Sequence, residues 1–184
     1  MKILIFGAFM IATAFGSPRE IELKLPNKAG SVTLSVTRTN KQGPDELLGM
    51  QDCGDKILRR HGATLEAHRN DENLLGCLLF KHPQFVADTE SRVPVVYIET
   101  FSSEKTVESL KKLYSPESME FGKASNRSFA WGVVHEWATS TTGSAHYLFL
   151  APKNKSFAIR IGPIAGLTLA QYDFGFEKAK WSLK

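Results

Sequence analysis

The sequence predicts an α+β fold: an antiparallel sheet with a C-terminal strand meander, packed against one strong helix and a short C-terminal helix. Three patterns predict it. Ile21, Leu23 and Leu25 alternate with Glu22 and Lys24, and Val32, Leu34 and Val36 alternate with Thr33, Ser35 and Thr37, the two-residue period of half-buried strands. Val107, Leu110, Leu113 and Tyr114 fall on one helical stripe over residues 104–114. From Ser128 onward, three apolar runs are separated by tight-turn residues.

Taken in order, Pro26-Asn27-Lys28-Ala29-Gly30 is a hairpin-like connection between the first two strands. Residues 38–55 are rich in Asn, Gln, Gly, Pro and Asp, with Gly43-Pro44-Asp45 as a turn signal, and are expected to be irregular. Residues 64–68 suit a short strand, while 74–80 and 93–101 suit central strands covered on both faces. Ser102 or Ser103 caps the helix of 104–114, and Pro116 ends it. In the meander, Phe129, Trp131, Val133, His135 and Trp137 are expected on one face and Ala130, Gly132, Val134, Glu136 and Ala138 on the other. Leu169, Tyr172, Phe176, Ala179 and Trp181 suggest that residues 167–184 end in a helix or helical turn packing its aromatics on the sheet, a reading Gly175 weakens.

Residues 1–16 read as a cleavable signal peptide: Lys2, an apolar run from Ile3 to Ala12, then Ala14-Phe15-Gly16 with small residues at both recognition positions. The 13 residues from Ile3 to Phe15 fall short of a membrane span, which needs about 20. Removing sixteen of 184 residues leaves 168, a length for one globular domain over 17–184. The expected location is secreted or periplasmic, with no stable membrane insertion once the signal is cleaved. A net charge of +4, spread evenly, argues against nucleic acid as a partner. Cys53 and Cys77, an even pair in an exported chain, are expected to form one disulfide.

The second half resembles the PsbP-like superfamily, which includes the exported DcrB-like proteins of bacteria. The likeness lies in element order over residues 95–101, 103–114, 131–138, 147–151 and 157–161, closing on Phe176-Glu177-Lys178-Ala179-Lys180-Trp181-Ser182-Leu183. It implies an α+β sandwich with a short closing helix and a non-enzymatic accessory or binding role. Residues 38–80, with a polar loop and both cysteines, depart from that pattern, and no functional residue of the family has a counterpart here.

Several groups invite chemistry. Asp52, Asp55 and His61 bring carboxylates and an imidazole close in sequence, the minimum for acid–base work, and Cys53 is an alternative nucleophile only as a free thiolate. Lys56, Arg59, Arg60, His61, His68 and Arg69 form the most basic stretch, suited to an acidic partner or to an ordinary solvated face. His135-Glu136-Trp137-Ala138-Thr139 lacks the second histidine of a zinc-protease helix and lies in a strand pattern. His135 and His146 flank a hairpin without ligand spacing, so no metal and no cofactor is expected. Trp131, Trp137, Tyr147, Phe149 and Phe157 suit a core, or an apolar pocket. Asn126-Arg127-Ser128 and Asn154-Lys155-Ser156 fit the N-glycosylation pattern, which matters only in a eukaryotic source. The leading expectation is an exported non-enzymatic module that binds another protein, as an envelope accessory or an immunity-type protein. A small secreted hydrolase using Asp52, Asp55 or His61, and a carrier of an apolar small molecule, are the alternatives.

Overall fold

The computed structural model describes residues 17–39, 46–51, 53, 72–81, 95–100, 121–139 and 145–184. Strands β1 (Arg19–Lys24) and β2 (Gly30–Arg38) form the predicted hairpin, with Ile21 opposite Leu34 and Leu23 opposite Val32. Alternation puts Ile21, Leu23, Val32, Leu34 and Val36 inside and leaves Glu20, Glu22 and Lys24 in water. Each aliphatic side chain so buried contributes about 2 kcal/mol.

Seven strands make the second antiparallel sheet: β3 (Glu46–Gln51), β4 (Leu74–Lys81), β5 (Val95–Thr100), β6 (Phe121–Phe129), β7 (Gly132–Thr139), β8 (Ala145–Pro152) and β9 (Phe157–Ala165). Their order is β3-β4-β5-β9-β8-β7-β6, so the meander β6 to β9 joins the β3 to β5 run through the β5–β9 pair. The inner face carries Leu78, Phe80, Val96, Val134, Leu148, Leu150, Ile159, Ile161 and Ile164, which pack in one cluster with the aliphatics of β1 and β2. Ile161 and Ile164 share that face although three residues apart, because the register between β8 and β9 shifts between His146 and Leu148.

A five-residue helix α1 (Gly166–Ala170) leads to β10 (Tyr172–Asp173) and β11 (Lys180–Leu183). Both short strands run antiparallel to β2, β10 beside Thr37 and Arg38 and β11 beside Gly30 to Thr33. Between them, six residues from Phe174 to Ala179 stand against only three of β2, so the chain bulges out and returns. The bulge buries Phe174 and Phe176 in the core between the sheets.

The predicted α+β class is therefore corrected. The described residues are mostly strand, in antiparallel sheets packed face to face, and their helical content is α1 and two single 3-10 turns at Pro26–Lys28 and Phe176–Lys178. The helix expected over 104–114 and the strand expected over 64–68 lie outside the described residues. The closing helix is replaced by β10, a 3-10 turn and β11, which also removes the closing helix implied by the PsbP-like resemblance. The three- and four-residue spacing of Leu169, Tyr172, Phe176 and Ala179 imitates a helical stripe. Gly175, at φ 59, breaks it, and the edge of β2 supplies strand partners instead. Part of the expected irregular stretch of 38–55 is β3, whose carbonyls at Leu47 and Leu48 accept from the Arg19 guanidinium. Among the described residues no helix is long and apolar enough to cross a membrane.

Candidate functional site: a cleft beside the sheet edge

The site is built where β6, β7 and β8 run past the C-terminal bulge. Glu136 on β7 lies opposite Ser125 on β6, and Ala138 lies opposite His146 on β8, so Glu136 and His146 are diagonal neighbours on the inner face. Glu136 Oε1 and His146 Nδ1 are 3.0 Å apart, with both side chains largely buried. A neutral imidazole donating from Nδ1 to that carboxylate carries its lone pair on Nε2.

The opposite wall comes from the bulge. The Asp173 carboxylate accepts the Gly175 N–H at 2.9 Å, and Lys178 N–H donates to the Gly175 carbonyl at 2.9 Å. Gly175 is required here twice over: its φ of +59 is left-handed, and a Cβ would stand 2.3 Å from the Ser35 carbonyl oxygen. Trp131 Nε1–H donates to the Phe176 carbonyl at 2.7 Å, pinning the bulge to the β6–β7 turn. The Arg127 guanidinium lies 5.2 Å from the centre of the Phe176 ring, a cation–π contact on an exposed strand.

Two adjoining clefts result. The first, of about 430 Å³, is lined by Ser125, Arg127, Glu136, His146, Leu169, Tyr172, Asp173, Phe174 and Phe176, among others. The second, of about 330 Å³, shares Arg127, Asp173 and Phe176 and adds Ser35, Thr37, Phe129, Glu177 and Lys178. The lining combines both signs of charge with aromatic rings, a chemistry suited to holding an irregular polar segment.

Of the expected site residues, Cys53 and Cys77 form a disulfide with Cα atoms 5.2 Å apart, which closes the nucleophile reading of Cys53 and fits an oxidising compartment. Asp52, Asp55, Lys56, His61, Arg59, Arg60, His68 and Arg69 lie outside the described residues. His135 and His146 are not brought together. His135 meets Asn126 Oδ1 at 2.8 Å, whereas His146 meets Glu136. Among the described residues no group of His, Cys, Asp or Glu is placed to hold a metal ion.

The five aromatics divide between the two faces. Trp137 and Phe149, with ring centres 4.2 Å apart, pack with Ala158, Tyr147 and Ala151 on the outer face, while Trp131 and Phe157 pack against the main core. Trp131 and Trp137 do not share a face because β7 starts at Gly132, and Trp131 belongs to the preceding turn.

Sequence reasoning missed the Glu136–His146 pair and the roles of Arg127 and Asp173. The signal was the hairpin register: pairing His146 with Ala138 puts it beside Glu136, whereas a one-residue slip moves it to the side of His135. No family model matches the chain, and no curated protein or solved structure is significantly similar to it.

Proposed function

We propose that the chain is an exported, non-enzymatic binding module that holds a segment of another protein in the paired clefts between β6 and the C-terminal bulge. The observation that carries this reading is the convergence of Arg127, Glu136, His146 and Asp173 with Tyr172 and Phe176 around one cleft, beside the last strand of the sheet order. Arginine and aromatic rings grouped around a concavity are the residue types that anchor protein partners. Export is part of the proposal: the signal-like order of residues 1–16 is its sequence support, and the Cys53–Cys77 bridge is its support from chemistry.

The test is comparative capture from the native compartment by the wild-type protein and by a R127E/D173A variant. Both residues are exposed, and because Asp173 also accepts the Gly175 N–H and Arg127 lies on the Phe176 ring, the variant's thermal midpoint and circular dichroism are compared with those of the wild type. A partner retained by the wild type and lost by the variant supports the reading, and equal retention by both overturns the cleft as its seat.

A further inference from the structure

We propose that Glu136 and His146 form a proton switch in the wall of the first cleft, which accepts a hydrogen bond from a hydroxyl or ammonium group of the bound segment at neutral pH and releases that group in acid. This rests on the binding-module reading above and adds its regulation. The two side chains meet at 3.0 Å and are 27% and 18% exposed, so the pair is fixed in the wall and still reaches solvent. Among the described residues, His146 makes this polar contact through Nδ1 and makes none through Nε2.

The switch follows from the acceptor that faces Nδ1. An ionised carboxylate only accepts, so Nδ1 carries its proton whether the ring is neutral or charged. Titration is thereby confined to Nε2, which is a lone pair in the neutral ring and an N–H in the cation. A donor from the bound segment and a proton compete for that lone pair, so each excludes the other. His135 meets Asn126 and borders neither cleft, so its titration does not reach the occupant.

Protonation strengthens the tie to Glu136, because a hydrogen bond from a neutral ring becomes one from a cation. The change is therefore local to the cleft and leaves the sheet pairing alone. The charged groups around His146 are Glu136 on β7, Arg127 on β6 and Asp173 on β10, with Lys123 of β6 at the register position opposite Ala138, which is itself opposite His146. Strand β9 sets Ile164 opposite His146, and α1 adds Gly166 and Leu169 to the lining, none of which titrates. The Arg127 guanidinium lies on the Phe176 ring, while the Glu136 and Asp173 carboxylates border the same cleft as Nε2. In acid, the N–H at Nε2 faces the donor of the bound segment with a second donor.

The experiment has two arms. In the first, the protein carries isotope-labelled histidine, and the His146 signals are assigned by their absence from His146→Gln. Two-bond proton–nitrogen correlation at about pH 7.5 is expected to show Nδ1 protonated and Nε2 bare, and Glu136→Ala is expected to return the ring to the Nε2–H tautomer. In the second, complexes from the capture assay above are washed at about pH 7.5 and about pH 5.5, on either side of an ordinary imidazole. The wild type is expected to retain about tenfold less partner in acid, the loss of one hydrogen bond to a charged group. For His146→Gln, whose amide offers a donor and an acceptor without titrating, the quantity read is the ratio between the washes, expected to be about one. A bare Nδ1 at neutral pH, equal retention by the wild type in both washes, or an acid loss that His146→Gln shares overturns the switch and leaves the binding-module reading standing. Capture of no partner by the wild type at neutral pH overturns both.

Discussion

The Tyr172 hydroxyl accepts the Leu47 backbone N–H at 2.8 Å, tying the C-terminal β10 to the edge strand β3. The same tyrosine packs edge-on against Phe80, at 5.4 Å, and borders the cleft with Ser125 and Arg127 of β6. One residue thus anchors β10 to β3 and lines the cleft beside β6.

Tyr172→Phe keeps the ring packing but leaves the N–H of buried Leu47 without its acceptor. We expect a loss of about 1–2 kcal/mol. Urea unfolding followed by far-ultraviolet circular dichroism should show a lower midpoint with an unchanged slope. An unchanged midpoint would mean that water replaces the hydroxyl.

Gly175→Ala sets a methyl group against the Ser35 carbonyl and asks alanine to adopt a left-handed backbone. A loss of more than about 1 kcal/mol is expected, while Lys178→Ala, exposed on the same bulge, should be neutral to within about 0.5 kcal/mol. The difference between the two thermal midpoints is the measurement.

These two positions also show how far the fold was legible. The β1–β2 hairpin followed from strict alternation, and the meander from apolar runs punctuated by turns. The C-terminal segment did not, because Phe174 and Phe176 reach the core from a bulge, and the open edge of β2 decides the conformation. Strand β6 was equally hidden: Lys123, Ser125 and Arg127 against Ala124, Asn126 and Ser128 give no apolar alternation, since an exposed edge strand does not require it. The site residues were missed for the same reason, as Glu136 and His146 meet only through strand register.

The protein should contain no thiol reactive toward a thiol reagent when denatured without reductant, since Cys53 and Cys77 are bridged. Replacing both with alanine should cost roughly 3 kcal/mol, the loop-closure entropy that the bridge removes from the unfolded chain. Two reactive equivalents in the unreduced protein would refute the bridge.

Trp137→Ala empties a fully buried site beside Phe149 on the outer face of the sheet. A loss of about 3–5 kcal/mol is expected. Chemical denaturation of Trp137→Ala and Trp137→Phe should order the variants by the volume removed, and equal stability would show that this face packs loosely.

The central claim, that a protein partner sits in the clefts lined by Arg127, is tested most directly by site-specific photo-cross-linking. A photoreactive side chain is placed at exposed position 127, or as a control at exposed position 24 on β1, and the protein is irradiated in its native compartment. We predict a discrete cross-linked product from position 127, absent from position 24 and suppressed by Asp173→Ala. Products of equal yield from both positions, or none from position 127, would contradict the account.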